Sequence, residues 1–169
     1  MSSVTSIHIG EHSKPMSWLV RMSEAFCGAG SSLQSPFLLA VRLYWGWQFM
    51  QTGWGKLHHL AQAAEFFASL GIPFPAFSTH FVAGLELLGG LFLIAGFASR
   101  LTGLLLAANM LVAYWTADHK ALVSIFSDPG TFYGADPYTF LFASLLVLAF
   151  GARYFSVDAV IARRWEGGT

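Results

Sequence analysis

The chain has 169 residues, 55% of them hydrophobic and only 11% charged, and its nine basic and nine acidic side chains cancel. A soluble domain carries about 25% charged residues, so the deficit points to a membrane, and without a basic cluster a nucleic-acid partner is excluded. The single cysteine, Cys27, excludes an intrachain disulfide and a Cys-x-x-Cys dithiol.

Residues 1–35 read as a tail. Met1 to Pro15 is polar and lacks periodicity. Met16 to Cys27 places Trp18, Leu19, Met22, Ala25 and Phe26 on one helical face, is too short and polar to span, and reads as an amphipathic helix on a membrane surface. The first 35 residues lack the pattern of a cleaved signal peptide, so the first span is expected to act as its own insertion signal.

Residues 36–155 hold four apolar stretches, at 36–56, 77–98, 101–116 and 138–155, that read as membrane spans in an all-α four-helix bundle. Ser35 followed by Pro36 is the signal of a capped helix start. At 100° per residue, Arg42, Gly46, Phe49, Gly53 and Lys56 share one face of the first span, and Leu39, Leu43, Trp47 and Met50 share the other. The charged, glycine-bearing face is expected inside, because a charge facing hydrocarbon costs several kcal/mol, about 2.5–3.5 on insertion scales, and glycine admits a close neighbour. Between the first two spans, Leu60, Ala64, Phe67 and Leu70 share a helical face that Gly71 ends. In the second span Ala83, Glu86, Gly90, Leu93 and Phe97 share a face, and a tight turn at Ser99-Arg100 leads to the third, which carries Asn109. Ala117 to Pro137 reads as a polar loop with a Pro129-Gly130 turn. Residues 156–169 open with Ser156-Val157-Asp158 into a short interfacial helix.

Four spans put Lys14, Arg21, Arg100, Arg153, Arg163 and Arg164 on one side, against Lys56 and Lys120 on the other. The positive-inside rule then predicts cytoplasmic termini, a multi-pass protein, and, in a bacterium, the inner membrane. Trp18, Trp54, Trp115 and Trp165 fall near the expected interfaces.

Arg42-x3-Gly46-x2-Phe49-x3-Gly53-x2-Lys56 resembles the opening signature of the DoxX family. Gly71-Ile-Pro-Phe-Pro, then Glu86 with Gly89-Gly90, Gly96 and Arg100, resembles its second block, and Gly151 with Ser156-Val157-Asp158 its ending. The resemblance covers about residues 36–165 and implies a four-helix membrane protein. Some members of that family are the membrane subunit of thiosulfate:quinone oxidoreductase; others accompany redox or detoxification proteins.

Depths counted from the expected helix ends place Arg42, Ser144, Asn109 and Glu86 in one internal polar layer. One reading makes Glu86 the counter-ion of Arg42, locking the bundle. The other makes the layer a pocket for a quinone or small acid: Arg42 and Asn109 as donors, Trp45 as an aromatic wall and Glu86 as the proton-transfer group. The leading function is therefore a membrane subunit passing electrons from a partner redox protein to quinone. The alternatives are a non-catalytic anchor or assembly subunit, possessing no chemistry, and a small-molecule carrier. A carrier would call for spans broken at mid-depth, and none has a central proline. Lipid is one expected partner, and a redox protein or a second copy of the chain is another. His58, His59, His80 and His119 gather towards one face without ligand spacing, and no histidine lies deep in a span, so neither metal nor haem is expected.

Overall fold

A computed structural model describes residues 14–152 and 156–166, and all the regular structure among them is helical, as expected. The chain divides after Gln34 into two compact units. In the first, Trp18 and Met22 are exposed, while the other expected members of their face, Leu19, Ala25 and Phe26, and the Cys27 thiol lie outside the described side chains. So do Arg153 and the Trp165 ring.

Helix α1 runs Lys14–His58 and is helical through Pro36, so Ser35-Pro36 does not start it. Proline removes a single backbone donor, and the apolar run after it continues the helix. Within the second unit, the stripe expected to face inward does so: Arg42 and Phe49 are buried, with Gly46 and Gly53, while Leu43 and Trp47 opposite them are exposed. Helix α2 (Leu60–Ser69) follows, buries Phe67, and gives way to Gly71 at φ 73°.

Helix α3 (Pro75–Ala95) begins after Phe74, whose φ of 49° turns the chain and places Pro75 in the first helical position. It ends at Gly96, φ 67°, where the Gly96 and Phe97 amides donate back to Leu93 and Phe92. The expected Ser99-Arg100 turn lies instead at Gly96–Ala98, and Ser99 already opens α4 (Ser99–Thr116). The stretch expected as a polar loop contains two short helices, α5 (His119–Val123) and α6 (Pro129–Gly134). Asp128 starts the second: its carboxylate accepts from the Thr131 amide and hydroxyl, which hold it below the ordinary carboxylate range. Phe132, carried by α6, stacks on Tyr114, whose hydroxyl donates to the Phe132 carbonyl at 2.8 Å. Helices α7 (Pro137–Phe150) and α8 (Val157–Glu166) complete the chain.

The second half of α1 packs on α3 through glycine. A Cβ at Gly53 would stand 2.5 Å from the Leu87 amide nitrogen and 2.7 Å from the Ala83 carbonyl, and one at Gly46 would stand 2.8 Å from the Gly90 carbonyl. Gly89 receives Leu106 of α4, and Gly103 of α4 lies against the backbone of Ser144 and Leu148 in α7. Phe140 of α7 returns to α1, edge-on to Trp45 and Phe49 with centroids 5.1 and 4.8 Å away. Each of α1, α3, α4 and α7 thus touches two of the others. Among the described residues, α3 is the helix both long and apolar enough to cross a membrane; α7 is apolar but has 14 residues.

The α1–α3 approach is between backbones, so neither side can yield by a rotamer change. Gly53→Leu is expected to destabilise the protein by at least about 1–3 kcal/mol, the usual cost of overpacking. Leu43→Ala, on the exposed face, should stay within about 0.5 kcal/mol. Thermal unfolding of both variants in detergent measures the difference.

Candidate functional site

The residues expected to form one polar layer form two separate clusters. The first surrounds Arg42, which is 1% exposed. Its Nε donates to the Leu93 carbonyl at 2.8 Å, Nη2 to Ile94 at 3.1 Å and Nη1 to Ala152 at 3.0 Å. Leu93 and Ile94 belong to the last turn of α3, where a cation is favoured, and the Leu93 carbonyl accepts from Arg42 as well as from the Gly96 amide. Gly96 leaves room for this, since a Cβ there would collide with the guanidinium and come within 2.5 Å of the Ser156 Cβ. Asp158 works on the adjoining helix end. Its carboxylate accepts from the Ala98 and Ser99 amides at 2.7 and 2.9 Å and from the Ser99 hydroxyl at 2.7 Å. Its own amide donates to the Gly96 carbonyl at 3.1 Å.

The second cluster surrounds Glu86, eleven residues into α3. One carboxylate oxygen accepts from Lys56 Nζ of α1 in an ion pair, and the other accepts from Asn109 Nδ2 of α4 at 3.1 Å. The Glu86 side chain is 4% exposed and that of Lys56 28%. Three helices therefore bring a carboxylate, an ammonium and an amide together, and the lysine side chain remains partly exposed.

This corrects the pairing of Arg42 with Glu86. Lys56 is the counter-ion, and Arg42 lies fourteen residues away from it along α1, about 21 Å. Asn109 does join Glu86. Trp45 does not: its ring packs on Tyr44 and Phe140, three residues from Arg42 and eleven, about 16 Å, from Lys56. Ser144 leaves the layer as well, because its buried hydroxyl donates to the Phe140 carbonyl of its own helix at 2.8 Å. Lys56 is the member that sequence reasoning missed as a site residue. The signal was present, since it shares the inward stripe of Arg42, Gly46, Phe49 and Gly53. No group of three metal-ligating side chains occurs among the described residues. His58 and His80 each use Nδ1 on the carbonyl four residues back, Trp54 and Ala76, at 3.0 and 2.7 Å.

Chemically, the second cluster offers N–H donors beside a carboxylate. Lys56 keeps two N–H groups beyond the one directed to Glu86, and Asn109 keeps one N–H and its carbonyl. That suits a small group with carbonyl acceptors.

Double-mutant cycles separate the two clusters. Lys56→Met leaves a buried carboxylate uncompensated and should cost about 3–5 kcal/mol, most of it recovered when Glu86→Gln is added. Arg42→Met combined with Glu86→Gln should be additive within about 0.5 kcal/mol, as for groups without a shared partner. Denaturant unfolding in a mild detergent gives both coupling energies.

The DoxX family model matches residues 37–119. That stretch contains Arg42, Lys56, Glu86 and Asn109 and ends before Ser156-Val157-Asp158. A Bacillus subtilis (strain 168) protein named "Putative oxidoreductase CatD" is 27% identical over 130 residues, which span 77% of this chain and 90% of that protein. No solved structure matches.

Proposed function

We propose that this chain, which belongs to the DoxX family, is an integral membrane subunit of a redox complex that delivers electrons to quinone, with Lys56, Glu86 and Asn109 binding the quinone head group. One observation carries the reading. Glu86 sits in the middle of α3, the helix apolar enough to cross a membrane, and meets there a cation and an amide from two other helices. An ionisable group so placed marks a functional site by default.

The residues fit a quinone. Its carbonyl oxygens accept hydrogen bonds, which Lys56 and Asn109 can supply. Quinone reduction consumes two electrons and two protons; a peripheral redox protein supplies the electrons, and Lys56 holds exchangeable protons beside the carbonyl, with the Glu86 carboxylate as their acceptor. The name of the Bacillus subtilis relative points in the same direction. Arg42 and Trp45 take no part, because Arg42 is committed to the end of α3. In this reading α1, α3, α4 and α7 cross the membrane as a bundle, α8 lies at its surface, and both termini are cytoplasmic. An anchor without chemistry is the second reading, favoured by the mutual satisfaction of Lys56, Glu86 and Asn109.

Quinone binding in lipid nanodiscs distinguishes the two. Glu86→Gln and the stability-compensated pair Lys56→Met with Glu86→Gln should weaken a short-tailed ubiquinone or menaquinone by about 10–100-fold, the worth of a hydrogen bond to a charged group. Trp45→Leu should leave binding unchanged. Wild-type affinity in the double variant leaves the anchor. The orientation has its own test: a reporter active only outside the cytoplasm should be silent after Thr169 and active when placed between Asp128 and Asp136, and the reverse pattern overturns the topology.

A further inference from the structure

Thr79 of α3 is fully buried, and its hydroxyl is, among the described residues, the buried side-chain polar atom without a hydrogen-bond partner. Leaving a buried hydroxyl unpaired costs about 1–3 kcal/mol. A helical Thr or Ser ordinarily escapes that cost by donating to the carbonyl three or four residues back. Thr52, Thr116 and Ser144 all do so here, to Phe49, Val112 and Phe140 at 2.9, 2.9 and 2.8 Å. Thr79 does not.

Its position gives the exception meaning. Thr79 and Glu86 are seven residues apart, which puts them within about 20° on one stripe of α3 and about 10 Å apart along its axis. Between them on that stripe stands Ala83, also fully buried and small. The α1–α3 packing sets Gly53 against Ala83, which places the Thr79 level beside the last turn of α1. The α3–α4 packing sets Gly89 against Leu106 and Glu86 against Asn109, and the same register brings Thr79 level with Thr116, the half-buried last residue of α4. Lys56, on the same side of Glu86, is already partly exposed. From the α2 end of the protein inward, the polar positions therefore step from Thr116 and Lys56 to Thr79 and then to Glu86.

We propose that Thr79 marks a water-lined approach that joins the Glu86–Lys56 pair to the aqueous phase at the α2 end. Water at this level satisfies the Thr79 hydroxyl and carries protons one at a time between the bulk and the Glu86 carboxylate, so the cluster exchanges protons with one side of the membrane only. The inference rests on the packing and the unpaired hydroxyl; it stands whether or not the ligand is a quinone.

The test is chemical accessibility in the full chain, with Cys27→Ser removing the native thiol. Thr79→Cys is introduced in proteoliposomes, and silver ion, small enough to follow water, is added from either side; unreacted thiol is then counted with maleimide after denaturation. Thr79→Cys should react from the α2 side at least tenfold faster than Ala107→Cys, a control in the apolar core. Equal rates, or reaction from the Arg42 side alone, overturn the proposal. Where the cysteine variant does not fold, the comparison of Thr79→Val with Thr79→Ser decides. A wetted hydroxyl makes Val lower the Tm while Ser preserves it, whereas a dry one makes Val raise the Tm. Quinone affinity is read separately on Glu86→Gln, so failure of the redox reading and failure of the water path give different results.

Discussion

Contact between the backbones of α1 and α3 at Gly46, Gly53 and Gly90 is the constraint on which both polar clusters depend. At this spacing the inward stripe of α1 runs along α3 from its last turn to its middle. Arg42 then lands on the carbonyl end of α3 and Lys56 near its centre, within reach of Glu86. A side chain at Gly53 would separate the helices and move both cations from their partners. The glycines add little stability of their own; their small size sets the distance at which the charges act.

The Arg42 cluster solves a problem of helix ends. Between Ala95 and Ser99 one helix stops and the next starts, so unpaired carbonyls and unpaired amides lie within a few residues of each other. Arg42 supplies the positive partner for the first and Asp158 the negative partner for the second, each the sign that the local helix dipole favours. Two glycine-like conformations, Gly96 and Ala98, make the reversal tight enough for both to reach. Backbone carbonyls answer the Arg42 charge at the end of α3, while the counter-ion of Glu86 is Lys56.

This division shows what the residue pattern could convey. The 100° periodicity of α1 was enough to identify its inward stripe, because sterics and charge both oppose placing Gly53 and Arg42 against lipid. The apolar runs located α3 and α4 to within about three residues and the start of α7, which stops at Phe150 and Gly151 rather than at 155. Partner identity was not legible. A depth counted from Pro36 has no fixed origin, because α1 is helical from Lys14. A lysine's long stem carries its charge well beyond its own turn, and nothing in a linear pattern says in which direction. The short helices α5 and α6 were hidden by polar composition, although Asp128 before Pro129 is a helix start signal and Phe132 an apolar residue with a place to go.

Stability alone does not account for the second cluster. A buried ion pair commonly contributes no more than a well-packed apolar pair of similar volume, since the desolvation of both charges offsets their attraction. The Arg42 cluster has a structural task in closing two helix ends; Lys56, Glu86 and Asn109 close none, and glycine contacts already join α1 to α3 and α3 to α4. What the trio possesses instead is asymmetry. The cation's side chain is 28% exposed and the anion's 4%, so the pair is open on the lysine side and closed around the carboxylate. A symmetric, fully buried pair would only hold helices together. A pair open at one end can take up a proton or a polar ligand from a single direction, and the unpaired hydroxyl of Thr79 lies on that same stripe, two turns towards the open end.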